Sequence, residues 1–211
     1  MGRHAGPKRN PLGRGVMNTA TPVGGIATRR LVLRRLRGND APDIARLANN
    51  MAVVSMTARM PHPYALSDAT DFIGRVAANQ IDGRVCAVIH TDDGGLMGII
   101  SVERKATAGG EDELGYWLGE PFWGHGYATE AARALVERTF LDTHTARLHA
   151  GCAVVNAASR RVLQKCGFGF RAVDRGESLA LGKTVAVERY SLDRQTWLSL
   201  RDPCGINGQD R

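Results

Sequence analysis

The sequence predicts an α/β domain with a mixed, mostly antiparallel central sheet flanked by helices. Two observations carry this expectation. Strand-like stretches at 84–91 and 96–105 are joined by Asp92-Asp93-Gly94-Gly95, a strong hairpin signal. Then strand-like and helix-like stretches alternate from Glu113 to Phe170, which implies β-α-β crossovers on the same sheet. At 211 residues and 43% hydrophobic, the chain suits one domain with a sizeable core. That domain is placed at 28–200, after a Gly/Pro-rich basic arm (1–27) and before a polar tail (201–211) expected to fray.

Charge and cysteine usage narrow the function classes. Nine of the 28 Lys and Arg fall in residues 1–38, which hold no acid; the remainder, 19 basic against 21 acidic, is net −2. The basicity is a local N-terminal feature rather than a property of the folded body, so nucleic-acid contact is expected from the arm alone, if at all, and a plain solvated tail is the simpler reading. A start at Met17 would remove much of it. Cys86, Cys152, Cys166 and Cys204 show no paired spacing, and the six histidines form no cluster. Reduced thiols in a cytoplasmic protein without a metal site are expected. No apolar run approaches the ~18–20 residues of a membrane span.

The elements follow in order. Leu31, Leu33 and Leu36 suggest a first strand over 28–37. Asn39-Asp40 reads as the cap of a helix starting near Pro42, with Ile44, Leu47 and Ala48 as its apolar stripe. Residues 49–66 are broken by Pro61-His62-Pro63-Tyr64, and Ser67 or Asp68 then caps a helix carrying Phe72, Ile73 and Val76. After the hairpin strands and a polar loop at 106–112, Glu113–Leu118 reads as a strand. Ala128, Ala131, Ala132, Leu135, Val136 and Phe140 recur at helical spacing. Arg147–Val155 reads as a strand and Asn156 as a helix N-cap, with Gly167 as a left-handed stop and Phe168 folding back. A strand at 171–174, a connection at 175–181 and a last strand at 183–192 complete the domain.

The chemistry gathers where the strand ending at Leu118 meets the helix after Tyr127. Gly124 and Gly126 let backbone approach a ligand closely, and the first N–H groups of that helix have no internal partner. With the helix dipole behind them they suit a phosphate. A bland strand–helix turn would also use two glycines, so the second unit matters: Asn156 and Ser159 lie on one face of the next helix.

Gly115-Tyr116-Trp117, Trp123-Gly124-His125-Gly126-Tyr127-Ala128-Thr129-Glu130-Ala131, Asn156-x-x-Ser159 and Lys165-x-Gly167-Phe168 together resemble the GNAT acetyltransferase superfamily, in its RimJ/RimL-like, ribosomal-protein alanine acetyltransferase branch. The strong motifs cover about 113–170. The resemblance implies a sheet whose central strands splay to admit a pantetheine arm, and acetyl-CoA as co-substrate, with its pyrophosphate on the backbone of Gly124, His125, Gly126, Tyr127, Ala128 and Thr129. Family members often carry Gln or Arg where Trp123 stands, so the phosphate contact falls to backbone amides. The resemblance further implies a main-chain N–H of Leu118 or Gly119 at the thioester carbonyl, Asn156 on the pantetheine amides and Ser159 as proton donor to the sulfur. Glu113 is the first candidate base, with Glu120 and Glu130 weaker, while His62 and Tyr64 lie in the region that shapes the acceptor side. The expected acceptor is a primary amine, of a protein N-terminus or a small molecule, and the chain a monomer or homodimer. A catalytically silent acyl-CoA-binding or RNA-associated module is the competing class.

Overall fold

The computed structural model describes residues 25–105 and 110–201. The expectations for most of the arm, for 106–109 and for the tail beyond Arg201 fall outside these residues. Within them the chain runs β1 (Ile26–Ala27), β2 (Leu31–Arg34), α1 (Ala41–Ala48), α2 (Met51–Val54), α3 (Leu66–Ala77), β3 (Gly83–His90), β4 (Leu96–Arg104), β5 (Asp112–Leu118), α4 (Tyr127–Asp142), β6 (Arg147–Ala153), α5 (Ala157–Lys165), β7 (Gly169–Ser178), β8 (Lys183–Asp193) and α6 (Arg194–Arg201).

Eight strands form one sheet in the order β1-β2-β3-β4-β5-β6-β8-β7, antiparallel at every step except β5–β6. Side chains alternate across each strand, so the sheet buries two cores. On one face α4 seats Leu135 and Phe140, both fully buried, against Leu31, Ile100, Leu114 and Leu148. On the other, Ile44 and Leu47 of α1 and Ile73 of α3 cover Val85, Ala87 and Ile99. Each such side chain contributes roughly 1.5–3 kcal/mol by leaving water.

Several expectations are corrected. In place of one first strand, β1 and β2 form a short antiparallel hairpin that turns at Arg29-Arg30, and it begins at Ile26, inside the stretch assigned to the arm, because Ile26 pairs with Leu33 and packs on the core. The α3 N-cap is Ala65, not Ser67 or Asp68; Asp68 lies in the first turn, and its carboxylate reaches back to accept from the Ala65 N–H at 2.7 Å. Asn50 caps an unforeseen turn of helix, α2, by accepting from Ala52 N–H at 2.9 Å. β7 extends through Arg175 to Ser178, where a connection was expected, and α6 follows the last strand.

Candidate active site

Two left-handed glycines shape the entry to α4: Gly124 has φ 81° and Gly126 φ 80°. An L side chain adopts that conformation at a cost of roughly 1–2 kcal/mol. Both residues, and His125 between them, are exposed, and Tyr127, Ala128 and Thr129 begin the 16-residue helix. The first intrahelical bond of this end is Glu130 N–H to Gly126 O, 3.1 Å. The preceding amides thus face outward, as an anion site requires. Trp123, at the head of the loop, donates its indole N–H to Leu118 O at 2.7 Å, so it ties the loop to the end of β5.

Beside this loop the sheet opens. β5 and β6 pair only at Asp112–Leu148, Glu113–His149 and Leu114–Ala150, while β6 continues beside β8 as far as Ala153–Val187. From Gly115 onward β5 is therefore held by β4 alone. Gly119 donates its N–H to Met97 O at 2.9 Å and is not a free donor. Antiparallel bonding alternates, so Leu118 and Tyr116 turn their backbone groups the other way, into the wedge. Of the two main-chain donors expected at the thioester carbonyl, Gly119 is already bonded within the sheet, and Leu118 is the one whose N–H faces away from β4. Gly119 has a packing duty instead: a Cβ there would sit 2.6 Å from Leu47 Cδ2.

The acid and base candidates lie on opposite faces of this opening. On the α4–α5 face, Asn156 accepts from Ser159 N–H at 3.0 Å and so caps α5 as expected. Ser159 Oγ lies 2.9 Å from Tyr116 Oη, a partner that the sequence did not announce. Burial pushes the Tyr116 phenol well above its ordinary range, so it remains a neutral hydroxyl. Cys152 next to them is buried; burial and the neighbouring Glu188 push its thiol up, in keeping with a packing role.

On the other face, Glu113 leans over β6, its Oε1 3.8 Å from the point where a Cβ on Gly151 would lie, and its Oε2 is 3.4 Å from Lys105 Nζ. Lys105 also approaches Glu103, which accepts from Ser101 Oγ and Arg59 at 2.8 Å each. Burial raises the Glu103 carboxyl, but Arg59, Ser101 and Lys105 outweigh it and hold it low, so Glu103 is a poor base. Above this face, Leu179 N–H donates to Ala58 O at 3.0 Å, which joins the tip of the β7–β8 hairpin to the α2–α3 segment. His62 is exposed in that segment, whereas Tyr64 is buried in the core under α1 and α3 rather than lining the face. The weaker base candidates point elsewhere. Glu120 accepts from Asn50 Nδ2 at 2.6 Å on the surface, and Glu130 is bound by Arg30 and Thr28 on the β1–β2 side of α4.

A sheet parted beside a glycine-built helix N-terminus has the shape that suits an elongated ligand with a phosphate at one end. The chain belongs to the GNAT acetyltransferase family: the model described as "Acetyltransferase (GNAT) domain" matches residues 30–169. It is an acyltransferase with acetyl-CoA as donor. An uncharacterized N-acetyltransferase of Bacillus licheniformis is 25% identical over 79% of this chain and 94% of its own length. A Bacillus subtilis protein whose name proposes it as a ribosomal N-acetyltransferase, YdaF, is 31% identical over 50% of this chain and 57% of its own. Spermidine N-acetyltransferase from Vibrio cholerae, solved with CoA and spermine, shares the fold at a TM-score of 0.68 and 19% identity, covering 81% of this chain and 99% of that one.

Proposed function

We propose that this enzyme acetylates a primary amine, and that its acceptor is the α-amine of a protein chain. The observation that carries the reading is the wedge between β5 and β6, with the phosphate-ready amides of Gly124–Thr129 at one end and Glu113 and Ser159 on its two faces. Acetyl-CoA supplies the acyl group as a thioester. The Leu118 N–H is directed at charge developing on the carbonyl oxygen, a contribution typically worth ~10²–10³-fold. Glu113, directly or through a water, takes the proton that the acceptor ammonium must lose so that the free amine can attack. Ser159, backed by Tyr116, gives a proton to the departing sulfur from the opposite face. Asn156 holds the first turn of α5, and so places Ser159.

The acceptor reading rests on the ribosomal naming of the B. subtilis relative, on the sequence motifs, and on the joined hairpin and α2–α3 segment. The carboxylates of Glu103, Glu111 and Glu113 on the same face support a second reading, a small polyamine. Thiol release from acetyl-CoA, measured over a panel of peptide N-termini and polyamines with the product located by mass spectrometry, decides between them. Acetylation of peptide α-amines supports the first reading, and release with polyamines alone replaces it with the second. No release with any amine, at full acetyl-CoA affinity, would leave the silent binding module.

A further inference from the structure

Glu130 places a carboxylate in the first turn of the very helix whose N-terminus meets the phosphates. Left bare, it would oppose a pyrophosphate there, because like charges on one helix end cancel the benefit of the dipole. The structure gives this carboxylate four donors from a segment 100 residues earlier. Thr28 Oγ1 and Arg30 N–H donate to Oε1 at 2.7 and 2.9 Å, and Arg30 Nε and Nη2 reach Oε2 at 2.8 and 2.7 Å. The same guanidinium donates to His125 O at 3.1 Å and lies 4.5 Å from the centre of the Tyr127 ring. Burial raises the Glu130 carboxyl, but Thr28 and Arg30 outweigh it, so the pair stands as two ions.

We infer that Arg30 is an affinity-determining residue for the donor: it cancels the charge of Glu130 at the phosphate end of α4. This rests on reading Gly124–Thr129 as the pyrophosphate loop. Arg30 acts through Glu130 and is a positioning residue.

Charge cancellation and simple bracing forecast different results for the two single variants. Under cancellation, Arg30→Gln leaves the Glu130 charge without its counter-ion, though still hydrogen-bonded by Thr28 and the residue-30 N–H, and weakens acetyl-CoA binding by roughly 3- to 30-fold. Glu130→Gln leaves a bare guanidinium and binds as tightly as wild type or more so. The double variant returns to within about threefold of wild type, and Arg30→Lys, which keeps the charge, retains most of the affinity. Acetylpantetheine, which lacks the pyrophosphate, binds all four variants alike. Calorimetry with both donors, alongside melting temperatures, reads every arm. Loss of acetyl-CoA affinity in Glu130→Gln as large as in Arg30→Gln, with no recovery in the double variant, would make the pair a brace and overturn the inference. Wild-type protein that binds acetyl-CoA no more tightly than acetylpantetheine would instead overturn the loop assignment, and the inference with it.

Discussion

Ser159 and Asn156 share one hydrogen bond yet have separable duties. Ser159→Ala removes the proposed proton donor while Asn156 still accepts the residue-159 N–H. Turnover is expected to fall at least ~10²-fold with acetyl-CoA affinity unchanged, because a proton donor acts on the transition state. Alanine is a good helix former, so the melting temperature holds or rises. Asn156→Ala removes the cap; it costs about 0.5–2 kcal/mol of stability and weakens donor binding. Full turnover in Ser159→Ala would end its assignment. Asn156 and Gly167 were legible in the sequence because caps are local chemistry. Gly167 has φ 88°, and the Phe168 N–H folds back to Leu163 O at 3.1 Å. Tyr116 was not legible as a partner of Ser159, since 43 residues separate them and only the wedge brings them together.

At the scale of elements, Asp40 shows how a local reading misses a tertiary use. It stands at the N-cap position of α1 as expected, but its carboxylate makes no bond to the helix; buried, it accepts from the Arg37 N–H at 2.7 Å and from both prongs of Arg34 at 2.8 and 2.7 Å, which ties β2 to the start of α1. Asp40→Asn leaves Arg34 half-buried without its charge partner, and is expected to cost about 3 kcal/mol. Burial raises the Asp40 carboxyl, but Arg34 and the Arg37 N–H prevail and hold it below the ordinary 3.8. The unfolded chain therefore takes up this proton before the folded one does. The stabilisation is complete above the ordinary carboxylate value and is lost as pH falls through the lowered folded value. The gap in melting temperature between wild type and Asp40→Asn should thus be constant near neutrality and close below pH about 4. A gap that persists unchanged in that acid range would contradict the assignment. Elements with apolar side chains at helical spacing, α1 and α4 among them, stand where the sequence placed them. β7 did not, because it is exposed along most of its length and carries charged residues where alternation would show. α6 hid behind an alternating Trp197-Leu198-Ser199-Leu200, of which only Trp197 is buried; the signal that marks it is Asp193, whose carboxylate accepts from the Thr196 N–H at 2.8 Å.

For the whole molecule, the domain boundary has a measurable position. Removing residues 1–24 leaves every described contact in place, whereas removing 1–27 also deletes β1, whose Ile26 packs on the core. The longer truncation should melt several degrees lower than the shorter one, at ~2–4 °C per kcal/mol for a chain of this size. Equal melting temperatures would show that β1 contributes nothing to the fold. The central claim is that the glycine-built end of α4 holds the donor phosphates, and calorimetry of acetyl-CoA binding to Gly126→Glu and Gly126→Ala tests it most directly. A Cβ at Gly126 would meet only Arg30 Nη2, at 3.7 Å, so both variants share the strain of φ 80° without a severe clash, and only the first adds a carboxylate at the phosphate site. The account predicts that Gly126→Glu loses measurable binding while it melts near Gly126→Ala, and that Gly126→Ala keeps part of the affinity. Wild-type affinity in Gly126→Glu would contradict it.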